Sequence, residues 1–401
     1  MDSNIEGIYS MYIKKYLLTT LILTISIASK SQNWEWVSSQ VNVENNADPN
    51  KALVYDLWKS FIDAHDDSTT IFPQWNETDR LKWEQPDLIC SEGFLNANIY
   101  AYLNKVLEIR PENGVYVIRS MFYTPYNENK AVFVLAITNH VVKKDERGEF
   151  KIHNWSDYYT RNWPRKTVGL IDYCYYPGFR FNKKKAQEAN VLINMLHDKL
   201  GVNLPHHITQ YIAPNLYELE RLKGFDYIIG MGDAQGNTGG SFDRKNFIIY
   251  GDSVGGENYR HEIARLINPT YPNAHFLLIQ GMAEYVNTEQ KEFGLSHRQH
   301  YERMKEWLDS HSDSDISNMD DKFYTMDNQT APAYLVGKIV CHELFKKDGY
   351  QALKRALVAG EDDALFFRFL QNEIGVSKDR FNQWMREKII LYSKEDIPPL
   401  Q

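Results

Sequence analysis

The sequence predicts an α+β protein in two parts. A small N-terminal domain at residues 33–170 pairs a helix with a curved antiparallel sheet. A second domain at residues 171–401 has a short sheet and a mostly helical C-terminal half. Three observations predict this. Strand-length runs rich in β-branched and aromatic residues cluster between positions 114 and 159. Helical periodicity fills almost everything after Asn258. The 401 residues, 43% hydrophobic and 24% charged, hold core material for two domains of ordinary size.

The N-terminal stretch "MYIKKYLLTTLILTISIASKSQ" has the three regions of a secretory signal peptide. Lys14 and Lys15 precede an apolar run from Tyr16 to Ile27, and small or polar residues follow through Ser31. The run is short for a bilayer, and no cysteine stands near the cleavage point to carry a lipid. Residues 1–32 are therefore expected to be removed, with Met11 as the alternative start. The remaining chain is expected to be secreted or periplasmic, with no stable membrane anchor.

From Asn50, "NKALVYDLWKSFIDAH" places Leu53, Leu57, Trp58, Phe61 and Ile62 at helical spacing. A loop-rich stretch containing Pro73 and Pro86 follows. Three strand-like runs come next, "GVYVIRSMFY" from Gly114, "KAVFVLAITNHVV" from Lys130 and "FKIHNWSDYY" from Phe150. The turn "KKDERGE" joins the last two as a hairpin. A helix ahead of such a sheet resembles the cone-shaped fold of nuclear-transport-factor-like domains.

Past Pro177-Gly178, "KKKAQEANVLINMLHDKLGV" is a long amphipathic helix, and "HHITQYIA", "FDYIIGMG" and "KNFIIYGD" read as strands. Helices are predicted at 258–268, 275–292, 297–310, 332–347, 350–359, 363–374 and 378–392. The breaks hold Pro269, Pro272, Gly294, Gly349, Gly360 and Gly375.

A net charge of −8 with scattered Lys and Arg argues against binding nucleic acid or an anionic membrane surface. The 26 tyrosines are spread along the chain, which suits core and hairpin packing ahead of carbohydrate or peptide contact. Cys90, Cys174 and Cys341 fit no Cys-x-x-Cys spacing, allow one disulfide at most and read as buried thiols. The loop "GMGDAQGNTGGS" lacks phosphate-loop spacing and runs into a strand, not a helix N-terminus. His206 and His207, and likewise His297 and His300, are expected on solvated surface. Asp313, Asp315, Asp320 and Asp321 lack the register of a calcium loop.

Two motifs remain. Gly251-Asp252-Ser253-Val254-Gly255 has the spacing of a nucleophile elbow, but no later strand is predicted to carry an acid and a histidine. The second is His261-Glu262-Ile263-Ala264-Arg265, one residue short of His-Glu-x-x-His. It follows the strand "FIIY" and precedes the helix "HFLLIQGMAEYV". This order of parts resembles the gluzincin metallopeptidases of the peptidase MA-like kind, over roughly residues 180–395.

That resemblance implies a zinc site, with His261 as first ligand and Glu262 as general base. Arg265 stands in place of the second histidine. The third ligand falls on Gln280, if "QGMA" is aligned with Glu-Gly-x-Ala, or on Glu284 one turn later. Eighteen residues separate positions 265 and 284, the interval found in aminopeptidase N-like members. Two histidines at i and i+4 share a helix face and can hold one zinc, whereas a guanidinium has no lone pair to give. A guanidinium about 4 Å from zinc would be repelled by ~8 kcal/mol at an effective dielectric near 20. Arg265 is therefore expected to occupy the metal position itself and to pair with Glu284, Glu262 or both.

The reading that follows is a secreted, catalytically inactive gluzincin-like protein that binds a peptide, glycan or protein partner and holds no cofactor. The alternatives are an active zinc peptidase with an atypical ligand set, and a serine hydrolase acting through Ser253.

Overall fold

The computed structural model describes residues 48–64, 73–83, 86–87, 89, 99–125, 132–231, 239–287, 295–327, 329–398 and 400. The expected signal peptide, Cys90, most of the Gly-rich loop and the end of the helix predicted at 275–292 lie outside them. The chain is α+β, with two sheets and a helical C-terminal half.

Helix α1 (Pro49–Ala64) buries Val54, Trp58, Phe61 and Ile62. The short α2 (Glu77–Lys82) is capped by Asn76, whose side chain accepts from the amides of Thr78 and Asp79. Strands β1 (Leu103–Glu112), β2 (Val115–Pro125), β3 (Val132–Lys144) and β4 (Phe150–His153) then run as an antiparallel meander. Register shifts at Val106/Glu108 and Phe122/Tyr123 mark bulges, which bend and twist a sheet. Residues of α1 share one apolar core with Ile118, Phe122, Leu135 and Val142 on the sheet. Strand β1 was not expected. Its sequence "LNKVLEIRPE" carries charge on one face, which dilutes the apolar signal. The third predicted strand is also corrected. Only Phe150–His153 is strand, because Asn154 caps a helical turn, α3 (Trp155–Tyr159).

Strands β5 (Arg165–Val168) and β6 (Ile171–Tyr175) form a hairpin in the second sheet, so residue 170 falls inside a turn of that sheet. Helix α4 (Lys183–Leu200) then crosses over to β7 (Ile208–Ala213), parallel to β6. After α5 (Leu216–Lys223), strand β8 (Phe225–Ile228) leaves this sheet and pairs with β3 of the first. The two halves are therefore stitched together by the chain itself. Strand β9 (Gly240–Asp243) closes the edge beside β10 (Ile248–Asp252), giving the order β5-β6-β7-β10-β9. Every residue of β10 is buried.

After a 3-10 turn at Gly256–Asn258 come α6 (Arg260–Ala264), α7 (Ile267–Thr270), α8 (Phe276–Val286) and α9 (His297–Ser310). They are followed by α10 (Pro332–Leu357), α11 (Asp363–Ile374) and α12 (Lys378–Tyr392). The helix expected at 258–268 is thus two short pieces broken at Arg265 and Leu266. The break expected at Gly349 is a kink inside α10, where Asp348 and Gly349 leave helical geometry and Gly349 has φ 54°.

Helices α8 and α10 meet backbone to backbone. A Cβ on Gly281 would stand 2.1 Å from the Gly337 carbonyl carbon, and one on Gly337 would stand 2.0 Å from the Leu277 carbonyl oxygen. The large core beneath them joins the second sheet to the C-terminal helices. Cys174 and Cys341 are buried free thiols within these layers.

Candidate functional site

Strand β10 delivers the chain through the 3-10 turn to α6. This helix buries Glu262, Ile263 and Ala264, and Arg260 Nε ties it to the end of α8 by donating to the Val286 carbonyl at 2.9 Å. Two neighbouring helices therefore present side chains to one another, and α9 and α10 close the far side.

His261 Nδ1 lies 3.4 Å from Glu284 Oε2. Arg265 Nη2 lies 3.2 Å from His261 Nε2, 2.9 Å from Gln280 Oε1 and 3.2 Å from the Tyr334 hydroxyl. Arg265 Nε stands 3.9 Å from Glu262 Oε2. The other oxygen of Glu284 meets His297 Nε2, and Lys338 Nζ lies 2.9 Å from His297 Nδ1. Glu284, Glu262 and Lys338 are all buried.

The donors settle the tautomers. Arginine and lysine only donate hydrogen bonds. His261 Nε2 must therefore accept from Arg265, which leaves the His261 proton on Nδ1, facing Glu284. His297 Nδ1 must likewise accept from Lys338, so its proton sits on Nε2 and is donated to Glu284. Both imidazoles thus point an N–H at one carboxylate. Burial alone would raise the Glu284 pKa, but the hydrogen bonds from His261 and His297 outweigh it and hold the carboxyl well below the usual carboxylate range.

The fit to zinc can be judged from this donor set. The Nε2 lone pair of His261 is occupied by the guanidinium, and Arg265 offers none of its own. His261 and Glu284 leave two of the three protein ligands a catalytic zinc needs. As they stand, these residues do not fit the metal.

Gln280 and Glu284 lie one turn apart on α8 and have different partners, Gln280 taking Arg265 and Glu284 taking His261 and His297. The expected pairing of Arg265 with Glu284 is corrected, because the two histidines occupy that carboxylate. Its pairing with Glu262 is present at 3.9 Å.

Three members of the cluster were not anticipated. His297 was placed on solvated surface, yet its side chain is 12% exposed and faces Glu284, while its neighbour His300 is wholly buried against Thr330. Lys338 had a visible signal, as a lone lysine in the apolar run "YLVGKIVC". Tyr334, one turn earlier on α10, had none.

Ser253 Oγ donates to the Pro214 carbonyl at 3.2 Å. Asp252 accepts from the amides of Val254, Gly255 and Gly239, which explains the Gly-Asp turn as a capped strand end. Among the described residues no strand follows β10. In the acid-rich loop, Asp321 accepts from the Phe323 and Asp315 amides, while Asp313 and Asp320 are exposed. His207 stands just before β7 with its side chain 71% exposed.

No family model matches the chain, and no curated protein matches it. Among the described residues, no helix is long and apolar enough to cross a membrane.

Proposed function

We propose that this is a secreted protein on a gluzincin-like peptidase scaffold that does not hydrolyse peptides and acts by binding a peptide, glycan or protein partner. One observation carries the loss of catalysis. The Arg265 guanidinium sits on His261 Nε2, the nitrogen that would otherwise face a metal, and bridges α6 to α8 through Gln280. A tethered cation thus does the crosslinking that a divalent ion would do. Glu262, the counterpart of a general base, faces that cation instead of a metal-bound water.

The test is metal content and activity side by side. Purified chain, dialysed against zinc and analysed by X-ray fluorescence, is expected to hold well under one zinc per molecule and to leave peptide substrates intact. Arg265→His restores the i, i+4 pair with His261 and is expected to raise zinc toward one per chain, with Glu284 as third ligand. Stoichiometric zinc together with chelator-sensitive cleavage in the unaltered protein would refute the reading. Failure of Arg265→His to take up zinc would remove the gluzincin scaffold from it.

A further inference from the structure

The first sheet turns one face to α1 and carries polar residues on the other. Across three strands Glu108, Arg119 and Asn139 stand directly opposite one another. Asp226 on β8 extends this row, 2.6 Å from Arg119 Nε. Facing it is the segment "WSDYYTRNW", whose rings Trp155, Tyr158, Tyr159 and Trp163 lie within 5.8–6.1 Å of their neighbours. Between row and rings lies a groove of about 820 Å³, roofed in part by Arg221 of α5. That volume is ample for a chain of several ring-sized units.

Three features of the groove define what it would take. First, each of its four arginines has a carboxylate partner, two of these carboxylates lining the groove. Arg110 pairs with Glu108 and Glu112, Arg119 with Asp226, Arg161 with Glu112, and Arg221 with Glu218. The same pairs hold planar guanidinium and carboxylate groups in fixed orientations. Second, three of the four ring substituents are spent on the protein. Trp155 Nε1 donates to the Arg221 carbonyl at 2.8 Å and the Tyr158 hydroxyl to Glu112 at 2.9 Å, so these residues meet a ligand as apolar rings. Third, Asn139 is only 7% exposed and lines the groove, where its carboxamide is open to a ligand. A carboxamide supplies donor and acceptor together.

We infer that this groove is a binding site for a neutral oligosaccharide. A sugar ring is the ligand whose hydroxyls both donate and accept, matching Asn139 and the paired charges, and whose C–H face packs on aromatic rings. This deepens the binding half of the proposed function by naming the partner class, and it is independent of the Arg265 half.

The test is titration of the full chain with cellotetraose, maltotetraose, chitotetraose and mannotetraose, followed by tryptophan fluorescence and calorimetry. A heparin tetrasaccharide and a Glu-rich peptide serve as anionic arms. At least one neutral tetrasaccharide is expected to bind with Kd below about 1 mM. Asn139→Ala and Trp163→Ala are each expected to weaken it about tenfold or more. Asn139→Asp keeps the shape, removes the donor and reports the same loss if the alanine variant folds poorly. Arg265→Met is expected to leave sugar affinity unchanged, so failure of one reading is distinguishable from failure of the other. The inference is overturned if no neutral sugar binds at about 5 mM. Binding confined to an anionic arm, or affinity unaltered by both groove substitutions, overturns it too.

Discussion

Replacing Arg265 by Met keeps an unbranched stem and deletes the guanidinium. Glu262 then loses the cation that stands 3.9 Å from it. At 3.9 Å the Arg265–Glu262 attraction is about 4 kcal/mol for an effective dielectric near 20. His261 Nε2, Gln280 Oε1 and the Tyr334 hydroxyl lose a charged partner as well. Set against these, the variant escapes the cost of desolvating and immobilising an arginine whose side chain is 17% exposed. Removing one member of a buried pair costs ~3–5 kcal/mol, and the partial exposure puts this case near 3. For the C-terminal half of the chain, that corresponds to a fall in Tm of roughly 6–12 °C. The assay is thermal unfolding followed by tryptophan fluorescence at pH 7.5, with Glu262→Gln and the double variant completing a cycle. The double variant is expected to lose less than the sum of the singles, by ~1–3 kcal/mol. A loss below about 1 kcal/mol for Arg265→Met, or strict additivity, would mean that the guanidinium lies along its own helix without holding the site.

Three further outcomes are expected. Gly281→Ala drives a methyl group to 2.1 Å from backbone of α10, which cannot give way as a side chain would, so it is expected to cost more than ~3 kcal/mol or to prevent soluble expression. Burial, helped by Lys346, Lys388 and Lys338 against the opposing Glu343, pushes His342 down to about 4. The unfolded chain takes up that proton near pH 6.5 and the folded one resists until about pH 4. Stability is therefore expected to rise with pH from about 4 to 6.5, by up to ~3 kcal/mol, with the slope flattened in His342→Gln, as urea titrations at several pH values would show. Ser253 is expected to remain unlabelled by a fluorophosphonate probe, and Ser253→Ala to shift stability by less than ~1 kcal/mol, because its hydroxyl is engaged by the Pro214 carbonyl.

Much of the secondary structure was legible because it follows from local pattern. The apolar stripes of α1, α4 and α9 to α12 repeat at helical spacing, and β2, β3, β7 and β10 are dense in β-branched and aromatic residues. Most of the strands missed lack that signature, although β6 (Ile171–Tyr175), buried at four of its five positions, was not expected either. Strand β1 alternates charges with its apolar residues, β5 is mostly exposed, and β9 is four residues at a sheet edge. Their strand character comes from the neighbour they pair with, which lies far away in sequence.

The candidate site divides the same way. Sequence alone put positions 261 and 265 on one helix face by i, i+4 spacing, whereas their facing Gln280 and Glu284 was implied by the resemblance to gluzincins. It also determined that position 265 has no lone pair to offer. Only the tertiary structure decided which partner each side chain takes. Glu284 went to His261 and His297 instead of to Arg265, and Lys338 entered from a helix more than 50 residues away. Partner choice in a buried cluster minimises unpaired charge over all the helices that enclose it, and no single stretch of sequence contains that sum.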